Sequence, residues 1–298
     1  MQEKLVLYCG ESLNAKLLSR LLAAVIQARS AVSMGILRRG FMMAAYRKFA
    51  QWYDSFMSDI PYGEWAEYII DRLKEYGVVP DMVHDNEHSG SCINNKNTQN
   101  DVILELGCGT GSMARYLCME GYHVVGIDLS SDMIKEARKK IIPGFEPYVG
   151  DMRVPFLEAS SCGAVVSVCD SMNYLTSRSD MELTIKAVHS QLRDGGIFIF
   201  DMKTDSFYRD ELGDNVFADR AGRVSYVWQN HYDEKTHINT YDITFYRKIF
   251  ANICLSCSEK HRQRAYSVKQ IKDIAAKCGM ELLEHTVRGE RAYYILKK

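Results

Sequence analysis

DVILELGCGTG, residues 101 to 111, is an apolar strand that carries one acid, Glu105, and runs directly into three alternate glycines, Gly107, Gly109 and Gly111. The ten residues that follow, SMARYLCMEG, have the composition of a helix. A strand, a glycine turn and a helix start in this order mark the first βα unit of an open α/β sheet. Glycine tolerates positive φ and has no Cβ, so the turn is tight and a ligand can lie against bare backbone, facing the free N–H groups of the helix start.

The spacing narrows the ligand. Dinucleotide turns use G-x-G-x-x-G and phosphate loops end in G-K-[ST], whereas this turn is G-x-G-x-G with no lysine after it, which favours a ligand without phosphate. Two more acids stand at strand ends: Asp128 closes YHVVGIDLS, and Asp151 follows EPYVG. In an open parallel sheet ligands sit outside the carboxyl ends of the strands, where an acid after the second strand holds ribose hydroxyls. An acid after the third can accept from the exocyclic amine of adenine. Glu105, Asp128 and Asp151 would thus surround an adenosine whose far end is cationic.

The four stretches ELGCGTG, GIDLS, GDM and LRDGGIFIFD resemble, in order and interval, the class I S-adenosylmethionine-dependent methyltransferases. AAYRKFAQWYDSFMSDIPYGEWAEYI, residues 44 to 69, is similar to the helical lead-in of a bacterial subfamily whose substrates are mostly unassigned. The matches span roughly residues 43 to 298. The resemblance implies a Rossmann-like, seven-stranded, mostly parallel sheet with helices on both faces, and S-adenosyl-L-methionine as cofactor. Carried onto this chain, it sets Glu105, Gly107, Gly109 and Gly111 at the methionine end and Asp128, Leu129 and Met133 around the ribose. Asp151 and Met152 fall at the adenine, Cys169 in the same pocket, and Tyr46 and Tyr53 near the methionine carboxylate.

The chain has 298 residues with ordinary apolar content, enough for one large α/β domain with insertions. Its 37 basic and 38 acidic residues give a net charge of −1, so no global field advertises nucleic acid or an anionic membrane. Nine cysteines without framework spacing suggest reduced thiols and a cytoplasmic setting. No apolar run reaches the roughly 20 residues of a membrane span.

Residues 1–42 read as an N-terminal extension. From Ser12 to Met43 no acid occurs, and Lys16, Arg20, Arg29, Arg38 and Arg39 punctuate an apolar helical pattern. Three readings stay open for this basic amphipathic helix: an organellar targeting peptide, a helix packed on the domain, or an extension upstream of a start at Met42 or Met43. Residues 43–80 read as helical with a break at Ile60-Pro61, and the Asn-rich stretch from His84 to Asn100, within 81–100, as a flexible insertion. Residues 101–298 form the catalytic domain. Within it, strands alternate with helices as far as Asp201, and Gly195 and Gly196 are expected to end the fourth helix. Over about 203–265, VSYVWQNHYD and THINTYDITFYRKIF alternate with period two, which predicts an antiparallel β cap over the site. Ser267 with Gln270 predicts a capping box, followed by two closing strands.

Methyl transfer from a sulfonium is an in-line displacement that asks mainly for positioning. The segment after the fourth strand, VCDSMNYL, supplies Asp170, Asn173 and Tyr174 as acceptor-side candidates, each also explicable as a turn former. It is not the N-P-P-Y or D-P-P-Y pattern linked to planar amide or adenine nitrogens. His231 or Tyr174 would serve where the acceptor must lose a proton. Trp228, Tyr232, Arg264 and Tyr266 shape the acceptor pocket or simply bury one face of the cap. Cys254 and Cys257 lie three apart on an expected strand, pointing to opposite faces, so no metal is assigned. The connection around HTVRGER is shorter than in relatives. The reading is transfer to a nitrogen or oxygen of a small molecule. RNA is the first alternative, with Arg209, Arg220, Arg223, Arg262 and Arg264 as its basic candidates, and a non-catalytic cofactor-binding protein the second.

Overall fold

A computed structural model of the chain describes residues 5–7, 50, 53, 54, 57, 60–80, 102–250 and 253–298. The basic segment 12–43, Tyr46 and the Asn-rich stretch 84–100 lie outside the described residues. In chain order the first elements are β1 (Leu5–Leu7), α1 (Tyr62–Glu75), β2 (Val102–Leu106), α2 (Ser112–Met119), β3 (Val124–Asp128), α3 (Ser131–Lys139), β4 (Phe145–Val149) and β5 (Cys162–Ser167). They are followed by α4 (Arg178–Gln191), β6 (Leu192–Lys203), β7 (Val216–Ala221), β8 (Val224–Asp233) and β9 (Ile238–Phe250). β10 (Ile253–Arg264), α5 (Val268–Lys277), β11 (Glu281–Arg288) and β12 (Arg291–Lys297) complete the chain.

Two compact units result. One comprises 57–213, 232–239 and 262–298; the other comprises 1–56, 214–231 and 240–261. The first unit holds a seven-stranded sheet in the order β11-β12-β6-β5-β2-β3-β4. β2 to β6 pair in parallel, and β12 runs antiparallel to both β6 and β11. The central strands β2, β3 and β5 are buried on both faces, and the side chains of β2 divide by period two. Leu104 and Leu106 pack in a core with Met181, Ile185 and Val188 of α4 and Ile271 and Ile274 of α5. Ile103 joins Ala66, Ile69 and Leu73 of α1 and Met113 and Leu117 of α2 on the opposite face. The expected mostly parallel sheet with helices on both faces is the fold observed.

Caps fix where the helices begin. Ser267 accepts the Gln270 N–H at 3.2 Å while the Gln270 side chain accepts the Ser267 N–H at 2.9 Å, the reciprocal box expected from sequence. Ser177 and Ser130 cap α4 and α3 in the simpler way, accepting from Asp180 and Met133.

Two expectations change. Gly195 and Gly196 do not end α4, which stops at Gln191 with Leu192 already extended. They lie in a bulge at the start of β6, whose register advances from Leu192 to Ile197 while β5 advances only from Cys162 to Ala164. A Cβ on Gly196 would sit 2.9 Å from the carbonyl oxygens of Gly163 and Arg193, so close approach of backbone, not helix termination, demands glycine there. The expected hairpin is part of a larger assembly. β8 and β9 lie within a five-stranded sheet in the order β1-β10-β9-β8-β7, with β7 antiparallel to β8 and β1 antiparallel to β10.

Phe145, the first residue of β4, packs against two glycines. Its ring lies where a Cβ on Gly126 would meet it at 2.6 Å, and one on Gly111 would also meet it at 2.6 Å. Cys108 stands 2.9 Å from the same Gly126 position. Gly126→Ala is expected to cost about 1–3 kcal/mol through overpacking, read as a lower urea midpoint at unchanged slope.

Candidate active site

The turn between β2 and α2 contains three glycines for three different reasons. All have positive φ, 70° at Gly107, 54° at Gly109 and 80° at Gly111. A Cβ on Gly107 would strike Ser171 Oγ at 2.5 Å, whereas one on Gly109 would meet nothing within 4 Å. Gly107 is therefore packed from beneath, Gly109 turns bare backbone toward open space, and Gly111 is the left-handed N-cap of α2. Having no side chain, Gly111 cannot cap. The Ala114 N–H, third in the helix, is taken instead by the carboxylate of Glu105 at the end of β2.

Glu105 is 2% exposed, and its Oε2 is buried with no hydrogen-bond partner. Burial first, and the neighbouring charge of Asp128 second, push its pKa up to about 8. Asp128 closes β3 on the strand beside β2. One of its oxygens accepts the Gly109 N–H at 2.9 Å and the other the Ser130 N–H at 2.8 Å, leaving one lone pair on each for a ligand. Burial nonetheless raises its pKa. Leu129, next in line, is 72% exposed.

Asp151 follows β4, the strand beyond β3. The Gly150 N–H donates to Asp128 O at 3.0 Å, so the two acids leave neighbouring, parallel strand ends. Both Asp151 oxygens face Arg153, which also reaches Asp180 Oδ1 at 3.0 Å, and the hydrogen bonds from Arg153 lower the Asp151 pKa. Because β4, β3, β2 and β5 are adjacent and parallel, Glu105, Asp128, Asp151 and the residues after β5 share one edge of the sheet. Met152 comes within reach of Gly107, its Cε 3.8 Å from a Cβ built there, and Met133 N–H is spent on the Ser130 cap.

On the acceptor side the chain bends sharply after β5. Cys169 and Asp170 both take left-handed φ, 58° and 55°. A buried ion cluster holds them so. Arg291 of β12 donates to Asp201 at 2.9 Å and to Asp170 at 3.0 Å, with its guanidinium 4.4 Å from the centre of the Trp65 ring. The Asp170 N–H donates to Asp201 at 2.9 Å, and Gln263 Nε2 to Asp170 Oδ2 at 2.6 Å. Burial works to raise the Asp170 pKa, but Lys203 and Arg291 outweigh it and the net direction is down. Both of its oxygens thus have partners within the protein.

Asn173 is fully buried. Its amide donates to Arg264 O at 2.9 Å and Lys203 O at 3.3 Å and accepts from Lys203 N at 2.9 Å. Tyr174 is 48% exposed at the end of the same short turn. His231 belongs to the other unit, where its Nδ1 lies 2.8 Å from Asp214 at the surface. Tyr53, also in that unit, is half-buried. Of the expected basic candidates, Arg209 pairs with Asp205 and Asp210, and Arg264 reaches Thr176 O and stacks on Tyr266. Among the described residues no group of histidines, cysteines and acids has metal-holding geometry, and no helix is long and apolar enough to cross a membrane.

Sequence reasoning missed Ser171, Asp201, Gln263 and Arg291. Asp201 ends the quoted LRDGGIFIFD, and an acid at the end of a wholly apolar strand requires a cation. That requirement was the available signal for Arg291.

A model of a family described as a methyltransferase domain matches residues 103–196. A protein of Geobacillus sp. strain WCH70, named a provisional methyltransferase, is 28% identical over 85% of this chain and 99% of its own. The dTDP-3-amino-3,4,6-trideoxy-alpha-D-glucopyranose N,N-dimethyltransferase of Streptomyces venezuelae is 30% identical over 33% of this chain and 41% of its own. Among solved structures, an S-adenosylmethionine-dependent methyltransferase from Clostridium acetobutylicum superposes with a TM-score of 0.68 at 25% identity, covering 85% of this chain and 98% of that one.

The raised Glu105 pKa has a measurable sign. The folded state holds its proton up to about pH 8, the unfolded chain only to about 4.3, so between those values folding takes up a proton and stability falls as pH rises. Thermal melts from pH 5 to 8.5 are expected to show wild type losing stability relative to Glu105→Gln across that window; parallel curves would refute the buried, uncompensated carboxylate.

Proposed function

We propose that the chain, a class I S-adenosylmethionine-dependent methyltransferase, methylates a nitrogen or oxygen of a small-molecule acceptor at the carboxyl edge of the seven-stranded sheet. The observation that carries the reading is the juxtaposition of open backbone at Gly109, an orphaned buried oxygen on Glu105 and two spare lone pairs on Asp128. A cationic ligand would favour the ionised form of the buried Glu105, and backbone without phosphate-binding side chains suits an uncharged sugar link. When bound, S-adenosyl-L-methionine supplies the activated methyl group.

The residues proposed to hold it are Gly107, Gly109, Gly111 and Glu105 at the methionine end, with Asp128, Leu129 and Met133 at the ribose. Asp151, Met152 and Cys169 are proposed to enclose the base. Asp128 receives ribose hydroxyls on its remaining lone pairs. Leu129 offers an exposed apolar face that an aromatic base would cover. On the acceptor side Asp170 and Asn173 shape the bend, leaving Tyr174 as the side chain directed outward from it. Their task is to hold the acceptor's lone pair in line and exclude water. The segment shared with the amino-sugar N,N-dimethyltransferase supports an amine acceptor on a sugar.

Calorimetric titration of S-adenosylmethionine and its demethylated product into wild type and Asp128→Ala tests the site. Loss of two charge-assisted hydrogen bonds is expected to weaken both by about 10- to 100-fold. Methyl transfer to dTDP-amino sugars but not to tRNA or rRNA supports the acceptor class; transfer to RNA alone overturns it.

A further inference from the structure

We propose that His237, oriented by the carboxylate of Asp205, takes the proton from the acceptor atom before it is methylated. The inference rests on the reading of a nitrogen or oxygen acceptor. Asp205 lies just beyond Lys203, the last residue of β6, at the same edge of the sheet as the cofactor acids. Its Oδ1 faces His237 Nδ1 at 2.7 Å and also accepts the Tyr232 hydroxyl, while Oδ2 takes Arg209 Nη1 at 2.7 Å. An acceptor on the Nδ1 side puts the proton of the neutral ring on Nδ1 and leaves Nε2 with a bare lone pair. The His237 side chain is 48% exposed.

The backbone is committed to this placement. His237 holds φ at 55°, a left-handed conformation for a residue that is not glycine, and its carbonyl accepts the Ala265 N–H at 3.0 Å. From there the structure is continuous to the acceptor-side bend. Two residues before Ala265, Gln263 donates to Asp170 and accepts from Tyr208 at 2.9 Å, and the Tyr208 ring stacks on Tyr232 at 5.7 Å. All of these residues belong to the unit that contains the seven-stranded sheet. The other imidazole and carboxylate pair, His231 with Asp214, lies outside that unit and is 67% and 69% exposed.

The charged and titratable groups around the ring are Asp205, Tyr232, Arg209 and Glu234. Burial works to raise the Asp205 pKa, but the bonds from Tyr232 and His237 and the charge of Arg209 bring it down, so the carboxylate is ionised. Tyr232 is pushed up by burial and by Asp205, which keeps it a donor. Asp205 is thus a positioning residue, and His237 Nε2 is left to act. In the step, an amine acceptor's ammonium N–H bond breaks, or a hydroxyl acceptor's O–H bond breaks as its oxygen attacks the methyl group; the electron pair stays on the acceptor atom, the proton passes to Nε2, and the imidazolium later releases it to water.

The test has two arms on the full-length chain. In the first, proton-detected NMR of protein labelled with 15N-histidine, with His237→Gln to identify the signal, reads the tautomer without any acceptor. The proposal expects the neutral ring to carry its proton on Nδ1, and Asp205→Asn to redistribute it; a proton fixed on Nε2 overturns the proposal. In the second, methyl transfer to dTDP-3-amino-3,4,6-trideoxyglucose is followed from pH 6 to 9. His237→Gln is expected to lower kcat by about 10²- to 10⁴-fold, with KM within about twofold, wild-type calorimetric affinity for the cofactor, and loss of the rise in rate with pH. A variant as fast as wild type overturns the inference while leaving the acceptor class standing. A wild type that methylates neither amines nor hydroxyls overturns the acceptor class, and the base assignment with it.

Discussion

A single guanidinium, that of Arg291, holds together the part of the molecule that the remaining chemistry needs. Two buried carboxylates from neighbouring strand ends, the adjacent Glu290 carboxylate at 3.2 Å and an indole ring surround it, and the side chain is only 4% exposed. An unpaired charge at that depth would be costly, so each of the three buried charged groups is tolerable only because the others are present. The cluster also forces geometry. By taking the Asp170 N–H as well as the arginine, Asp201 holds two consecutive residues in left-handed backbone, and the chain after β5 bends there before the single 3-10 turn Ser171–Tyr174. Packing of Ser171 beneath Gly107 follows from that bend, so the arginine on the antiparallel strand supports the glycine turn indirectly.

The donor side is built on a different compromise. Glu105 caps α2 in place of the side chain that Gly111 lacks, but only part of the carboxylate is satisfied by doing so. Residual acceptor capacity in a site lined by bare backbone is what the proposed fit to a positively charged, phosphate-free ligand rests on. Asp128 differs: it is anchored by two backbone amides and still offers hydrogen-bond capacity outward. One acid is tuned by what it lacks and its neighbour by what it already has.

What was legible in the sequence was local. The glycine turn, the acids at strand ends and the Ser267 capping box all depend on residues a few positions apart, and each appears where spacing put it. The mostly parallel sheet followed from alternation of period two and helical segments. The acceptor side was not legible in the same way. Asn173 carries the composition of a turn former, yet its amide spans segments 30 and 91 residues away, and Arg291 meets Asp201 across 90. Such partners are chosen by topology, which brings β12 beside β6, and no periodicity encodes it. Gly195 and Gly196 show the opposite error: a dipeptide that usually ends helices was used for a bulge, because backbone crowding against β5 excluded any side chain.

Asn173 also has an architectural meaning. Its amide nitrogen grips the carbonyl of Lys203, where the chain departs on the excursion from 204 to 263, and the carbonyl of Arg264, where it returns. One side chain therefore staples the two ends of that excursion. With the termini pinned, the entropy of closing the loop grows only slowly with its length, so the stretches 214–231 and 240–261, which belong to the other unit, can be lengthened, shortened or exchanged at little thermodynamic cost to the sheet. The fold thereby keeps 204–213, 232–239 and 262–263 with a constant socket, an arrangement in which a lineage can rewrite the remaining stretches of the excursion without rebuilding the sheet.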